Sequence, residues 1–572
     1  MPSDQITETL KQSILMVKTY ADISATQPEL DELSKQYSVI RDHLSDPRED
    51  PIKTVEQWDT LRRKISTWQN LVELKFNQDT TNPKFIADRE ACDELSPQLT
   101  ELDVSIKRIL LDGPHRQRLQ KEFGEQAFAL WKSETLAFDP EIKLDLVEES
   151  RLAAEYNSLL SSAKLEFDGQ VFNHEGIDQF KFDADRTRRY DSMQVKWKWF
   201  EENRERLDDI FAKLVLLRDS MAKTLGFDNY VGMGYQRMCR VDYNREDVAF
   251  YRNQVAQHVV PFCSSLMSDR ATTLGIDKVM MWDESVHSTA GNPKPSGDHD
   301  WMIDRAKEMF DEMSPALGRF FRLMVQGELI DLKNRDTKGG GGFCTDFPEY
   351  GLPFIFANFN GSADDVRVFT HEMGHAFQGF CSRNQKIYDY VWPTYESCEI
   401  HSMGLEFMSF PHMKKFFGQA GDQFCREHVI DSFMFFPYGV AVDHFQHLVY
   451  ENPRATGDDR MDMWKEVEAL YLPWRDCGDL PHVAVGGRWQ LQRHIYMYPF
   501  YYIDYTLALA CALQFWMKSQ ADFSGTLVDY EKLCVRGGEA PFRGLAESAG
   551  LESPFSEGVL QKCVSFAKDY LG

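Results

Sequence analysis

The segment His371-Glu372-Met373-Gly374-His375 sets two imidazoles four positions apart, with a carboxylate beside the first. On a helix that spacing puts both rings on one face, about one turn apart, where they can reach a single zinc ion. Glu372 then projects toward the same cavity and can take a proton from a water that the metal activates. The implied chemistry is hydrolysis. Accident also makes such patterns: with 15 His and 90 acidic residues, chance HExxH matches arise on the order of a few per hundred such chains. The neighbours Phe369, Met373, Ala376 and Phe377 would equally suit a core helix with satisfied histidines. Context has to decide.

A catalytic zinc takes three protein ligands and keeps one position open. One continuation of the motif puts His six residues after the second His and Gly three residues after it. Cys381 and Gln378 stand there, which excludes that branch. The other common solution is a Glu on a later helix. YESCEIHSMGLEFMSF, residues 395–410, supplies Glu399 and Glu406, seven apart on one helical face. Glu396, His401 and Cys398 are competing donors in the same segment.

These groups need elements to hold them. Residues 366–380, VRVFTHEMGHAFQGF, read as the metal helix, and LPFIFANFNGS before it is the best strand candidate, closed by Asn360-Gly361. An edge strand beside a zinc site can hold an extended peptide by backbone pairing. From these residues alone an ordinary core strand is the preferred reading. NPKPSGD (292–298) reads as a loop and TKGGGG (337–342) as a second, more flexible one. Residues 4–165 have helical character, and a composition change over 165–193 marks a soft boundary before another long helical pattern over 193–225. No internal repeat appears.

At 572 residues the chain exceeds what one core usually fills, so two or three lobes are expected. Hydrophobic content of 43% and aromatic content of 13% indicate a well-folded globule. A net charge of -26 argues against nucleic acid as a partner, because phosphate binding needs clustered Lys and Arg. The first residues lack a basic start followed by an apolar run, and LALACALQFWM (507–517) is too short to span a bilayer and reads as a buried helix. With no spanning stretch, no membrane partner is expected, and eleven scattered cysteines without a CxxC pair, taken with the missing signal, point to reduced thiols and a cytoplasmic protein.

Glu399 follows His375 with 23 residues between, and it opens Glu-Ile-His-Ser-Met-Gly-Leu-Glu. In this arrangement the chain resembles the oligoendopeptidase F branch of the thimet oligopeptidase superfamily of zinc metallopeptidases. The resemblance implies Glu399 as third zinc ligand, and Glu406 as a group orienting a ligand His. GGGGFCTDFPEYGLPFIFANFNGSADDV is similar to that branch's glycine loop and substrate-side strand. RHIYMYPFYYIDYTLALACALQFW (493–516) resembles its His- and Tyr-rich segment. There the match assigns His494, Tyr502 and Tyr505 to oxyanion stabilisation and backbone holding, with Tyr498 and Tyr501 close by as competing hydroxyls. The similarity runs from about Asn173 to the C-terminus.

The implied fold is mainly α and zincin-type, with two helical lobes around a deep substrate channel and a small β-sheet beside the zinc helix. Residues 1–170 form the N-terminal lobe, and 171–572 the catalytic region contributing both walls. The implied reaction is hydrolysis of internal bonds in short unfolded peptides, with one Zn2+ held by His371, His375 and Glu399 and with Glu372 as general base. Two alternatives stand beside it: a peptidyl-dipeptidase or carboxypeptidase using the same site, and a non-catalytic peptide-binding protein.

Overall fold

The computed structural model describes residues 19–572. The leader reading and the start of the first helical stretch lie outside them. The fold is mainly helical, 71% helix and 4% strand.

Two long helices, Pro51–Gln78 and Pro83–Asp112, dominate the N-terminal part. Each starts with a proline and is capped by the side chain before it, Asp50 or Asn82, which accepts a backbone N–H of the first turn. Their aromatic core contains Tyr37, Trp58 and Trp131, and it also takes in Ile387 and Tyr390 from the far side of the chain. Arg62 ties the same regions, pairing with Asp389 at 2.6 Å. Helix Pro51–Gln78 also props up the small sheet, because Asn70 Nδ2 donates to Asp346 O at 2.9 Å.

At the composition change the chain makes a hairpin, β1 (Leu165–Phe167) and β2 (Gln170–Phe172), whose turn holds Asp168 and Gly169 at φ 51° and 75°. The single helical pattern expected over 193–225 is two helices, Arg186–Glu202 and Arg204–Thr224. The break falls at Asn203. Its backbone N–H and its side-chain amide both donate to Trp199 O, at 3.0 and 2.8 Å, a local competition that favours helix ends.

The sheet beside the metal helix comprises β3 (Ile330–Lys333), β4 (Phe343–Phe347) and β5 (Leu352–Phe359), in the order β3-β5-β4. β5 runs parallel to β3 and antiparallel to β4, so the strand legible in the sequence is the central one. Being covered on both faces, it reads as a continuous apolar run. The outer strand β4 was not legible as a strand. The glycine loop before it is pinned, contrary to the flexible loop expected. Asn358 Nδ2 donates to Gly339 O and Gly341 O at 2.7 and 2.9 Å, and Lys338 Nζ donates to Asp331 O and Lys333 O at 2.9 and 3.1 Å.

Of the helices that follow, Ala363–Ser382, Tyr395–Met408, Gly421–Glu451 and Tyr502–Ala521 carry most of the site, and the short helix Arg493–Met497 carries His494. The first two meet backbone to backbone at Gly374. A Cβ there would lie 2.5 Å from His401 O and 2.6 Å from Ser402 Cα. Gly374→Ala would gain about 1 kcal/mol in helix propensity. The overlap is with rigid backbone, where overpacking costs about 1–3 kcal/mol and often more. The clash wins, and the variant is expected to melt at a lower temperature than the parent by differential scanning fluorimetry. An unchanged or raised melting temperature would show that the two helices can part freely.

All eleven cysteines are free. Among the described residues no helix is long and apolar enough to cross a membrane. Leu507–Met517 lies within the buried helix Tyr502–Ala521, as expected from its composition.

Candidate metal centre

His371 and His375 lie on one face of helix Ala363–Ser382, with ring centroids 4.9 Å apart. Helix Tyr395–Met408 brings Glu399 against both: its Oε2 stands 3.2 Å from His371 Nε2 and 3.4 Å from His375 Nε2. Donor atoms at zinc bond lengths of about 2.0–2.1 Å in a tetrahedron lie roughly 3.3 Å from one another. The observed separations fit that spacing. Among the described residues, these three are the one group of His, Cys, Asp and Glu donors gathered closely enough to hold a metal ion. The competing donors turn elsewhere. His401 Nδ1 donates to Ser397 O at 2.8 Å, Glu396 Oε1 accepts from Thr394 Oγ1 at 3.0 Å, and Cys398 Sγ donates to Pro393 O at 3.3 Å.

The donors are held from behind. Ser402 Oγ donates to Glu399 Oε2 at 2.9 Å and Tyr501 OH to Glu399 Oε1 at 2.8 Å. Glu406 Oε1 accepts from His371 Nδ1 at 2.7 Å, which leaves His371 Nε2 free to face Glu399. Burial alone would raise the Glu406 carboxyl, but hydrogen bonds from His371 and His428 hold it at about 2. Burial likewise opposes charge on Glu399, yet His375 and His371 pull it well below the usual carboxylate range. His371 moves the other way: burial disfavours its charge, while Glu399 and Glu406 push it well above the ordinary imidazole value. These opposite charges stabilise one another, and a divalent cation at the same point would take the place of the imidazole protons between the rings and Glu399.

Glu372 is 6% exposed, and its Oε2 is buried without a hydrogen-bond partner among the described residues. Burial raises its pKa, only partly offset by the two imidazoles. β4 packs against helix Ala363–Ser382, so it is the outer strand beside the motif.

The segment before helix Tyr502–Ala521 brings His494 and Tyr505 together, Tyr505 OH lying 3.5 Å from His494 Nε2. Tyr438 OH donates to Gln492 Oε1 at 2.9 Å, which turns the Gln492 amide nitrogen toward His494 Nδ1 at 2.8 Å. His494 Nδ1 therefore accepts, and Nε2 carries the ring proton. Burial pushes the His494 pKa down to about 4, so the ring is neutral at pH 7. Tyr502 packs its ring on His494, Phe435 and Tyr438, with centroids at 4.9, 5.6 and 5.8 Å. It is Tyr501 whose hydroxyl meets Glu399. Residues 501 and 505 are four apart with rings 4.9 Å from each other, a helical spacing as good as the one that pairs Tyr502 with Tyr505. Tyr498 is 57% exposed, at the edge of this cluster with its ring 6.3 Å from that of His494.

Known proteins share both the sequence and the fold. The peptidase M3 N-terminal domain matches residues 20–138, and peptidase family M3 matches residues 305–565. A crystal structure of a provisionally assigned oligoendopeptidase F is 39% identical, covers 97% of this chain and 98% of its own, and superposes with a TM-score of 0.94. PZ peptidase A, solved with an inhibitor, is 38% identical over 97% of this chain and 99% of its own, with a TM-score of 0.93. A provisionally assigned oligoendopeptidase F from Bacillus anthracis is 36% identical over 97% and 98% of the two chains, with a TM-score of 0.89. No curated protein matches the chain. Near-complete coverage at these identities, on a helical fold that gathers the HExxH imidazoles and a later Glu, makes the chain a peptidase of family M3, on its oligoendopeptidase F branch.

Proposed function

We propose that the chain is a zinc-dependent endopeptidase that cuts internal bonds of short unfolded peptides. The observation that carries this reading is the convergence of His371, His375 and Glu399 on one point, beside a buried and unpartnered Glu372 Oε2. One Zn2+ held by those three residues would polarise the scissile carbonyl and lower the pKa of water. Glu372 takes the proton of the attacking water and returns it to the leaving amine. Tyr505 OH and His494 Nε2–H donate to the oxyanion. Tyr502 lines the same wall through its contact with His494, and Tyr501 holds Glu399.

An extended substrate pairs with the outer strand β4 by backbone hydrogen bonds, because its other edge is taken by β5. Residues 1–170 and 171–572 form the two parts around the substrate channel, with helix Pro51–Gln78 buttressing β4. Eleven free cysteines suit a protein working in the cytoplasm.

The test is a peptide acetylated at its N-terminus and amidated at its C-terminus, with products mapped by mass spectrometry. Cleavage at an internal bond is expected. Turnover of the unblocked peptide only, with dipeptides or single residues released from its C-terminus, would replace the endopeptidase with an exopeptidase. Turnover of neither would favour the non-catalytic binder.

A further inference from the structure

Behind the proposed ligands, the Glu406 carboxylate is shared by two imidazoles. Oε1 meets His371 Nδ1 at 2.7 Å, and Oε2 meets His428 Nε2 at 3.0 Å. His428 comes from the long helix Gly421–Glu451 and is 4% exposed. The rings of Phe407, Phe410 and Phe424 surround its imidazole, with centroids at 5.2, 5.3 and 5.8 Å. Its Nδ1 is buried without a hydrogen-bond partner among the described residues.

This geometry fixes where the proton sits. A carboxylate oxygen only accepts, so a neutral His428 carries its proton on Nε2. The other tautomer would bury an unpaired N–H among aromatic rings and turn a ring lone pair against Oε2, leaving two groups unsatisfied. Burial keeps the ring neutral, outweighing the pull of Glu406. With one Glu406 oxygen engaged by His428, the other is held at His371 Nδ1. Once a metal displaces the Nε2 proton, that leaves the His371 Nε2 lone pair for the point where His375 and Glu399 converge. The long helix also grips the metal helix directly, one turn before His371, where Asp431 pairs with Arg367 at 3.1 Å.

We propose that His428 is a positioning residue of the metal centre: its Nε2–H clamps Glu406 in the orientation that sets the His371 tautomer, without touching metal or substrate. This rests on the zinc reading above. Outer partners of this kind are worth about 10–100-fold in metal affinity.

The test is zinc affinity, measured by competition with a fluorescent chelator, for the parent and for His428→Gln, His428→Asn and His428→Phe. A Gln amide nitrogen reaches the place of Nε2, while an Asn amide stops near Nδ1, and Phe fills the site without a donor. The expected result is a loss of about 10–100-fold for Asn and Phe, with Gln within roughly threefold of the parent. Melting in EDTA separates lost affinity from lost fold. Should the Phe variant fail to fold, the Gln and Asn pair decides, since both put an amide in the same aromatic surround. Asn binding zinc as tightly as the parent, or Gln losing as much as Asn, overturns the proposal. A parent that binds no zinc instead defeats the zinc reading itself.

Discussion

Glu372→Gln is expected to lower kcat by about 10²–10⁴-fold, the usual weight of a general base, while zinc content stays at the parent's level. Gln has the shape of Glu but cannot accept the water proton. The three gathered donors are His371, His375 and Glu399, so nothing in the metal set is removed. The variant also exchanges a buried, unpartnered carboxylate oxygen for a neutral amide, so folding should not suffer. Steady-state kinetics on a quenched peptide and zinc analysis of the same sample check both halves. Activity within about threefold of the parent would remove Glu372 from the proton pathway, and loss of zinc would make it a ligand.

The second large effect concerns Tyr505. Tyr505→Phe deletes one hydroxyl and keeps the ring, which packs at 4.9 Å from Tyr501 and 5.8 Å from His494. A donor used mainly in the transition state lowers kcat and kcat/KM together and spares KM. Loss of one oxyanion donor costs about 10²–10³ in kcat, or roughly 2.7–4 kcal/mol. Tyr501→Phe should behave differently, because that hydroxyl is bonded to Glu399 at 2.8 Å; its loss should show in zinc affinity. Tyr502→Phe gives the third comparison. If Tyr505→Phe loses less than about threefold in kcat, the oxyanion role moves to whichever hydroxyl shows the larger loss.

Much of the site was legible because its spacings are local. The four-residue step from His371 to His375, and helical periodicity through 366–380 and 395–410, identify helices that the structure places at Ala363–Ser382 and Tyr395–Met408. Leu352–Phe359 was legible as a strand because its apolar run is continuous, but its central position was not, since pairing order is a tertiary property. β4 is not legible as a strand: Phe343–Phe347 mixes polar and aromatic residues on a half-covered outer strand, so neither alternation nor a long apolar run marks it. Tyr501 precedes the first residue of its helix, and a face drawn from Tyr502 onward leaves it out. His428 follows Glu406 at no motif spacing, and only the packing of two helices brings them to 3.0 Å. Gly374 stands inside the motif, yet its need for a bare Cα shows only against His401 and Ser402.

The most direct test of the central claim is a zinc titration of metal-stripped protein, following bound metal and peptide turnover together, on the parent and on Glu399→Ala. The expected result for the parent is turnover that rises from zero to a plateau at one zinc per chain. Glu399→Ala, left with two protein ligands, should hold zinc poorly and stay inactive over the same range. Turnover by the stripped parent, or a Glu399→Ala variant that binds one zinc as tightly and works as well, would contradict a centre built from His371, His375 and Glu399.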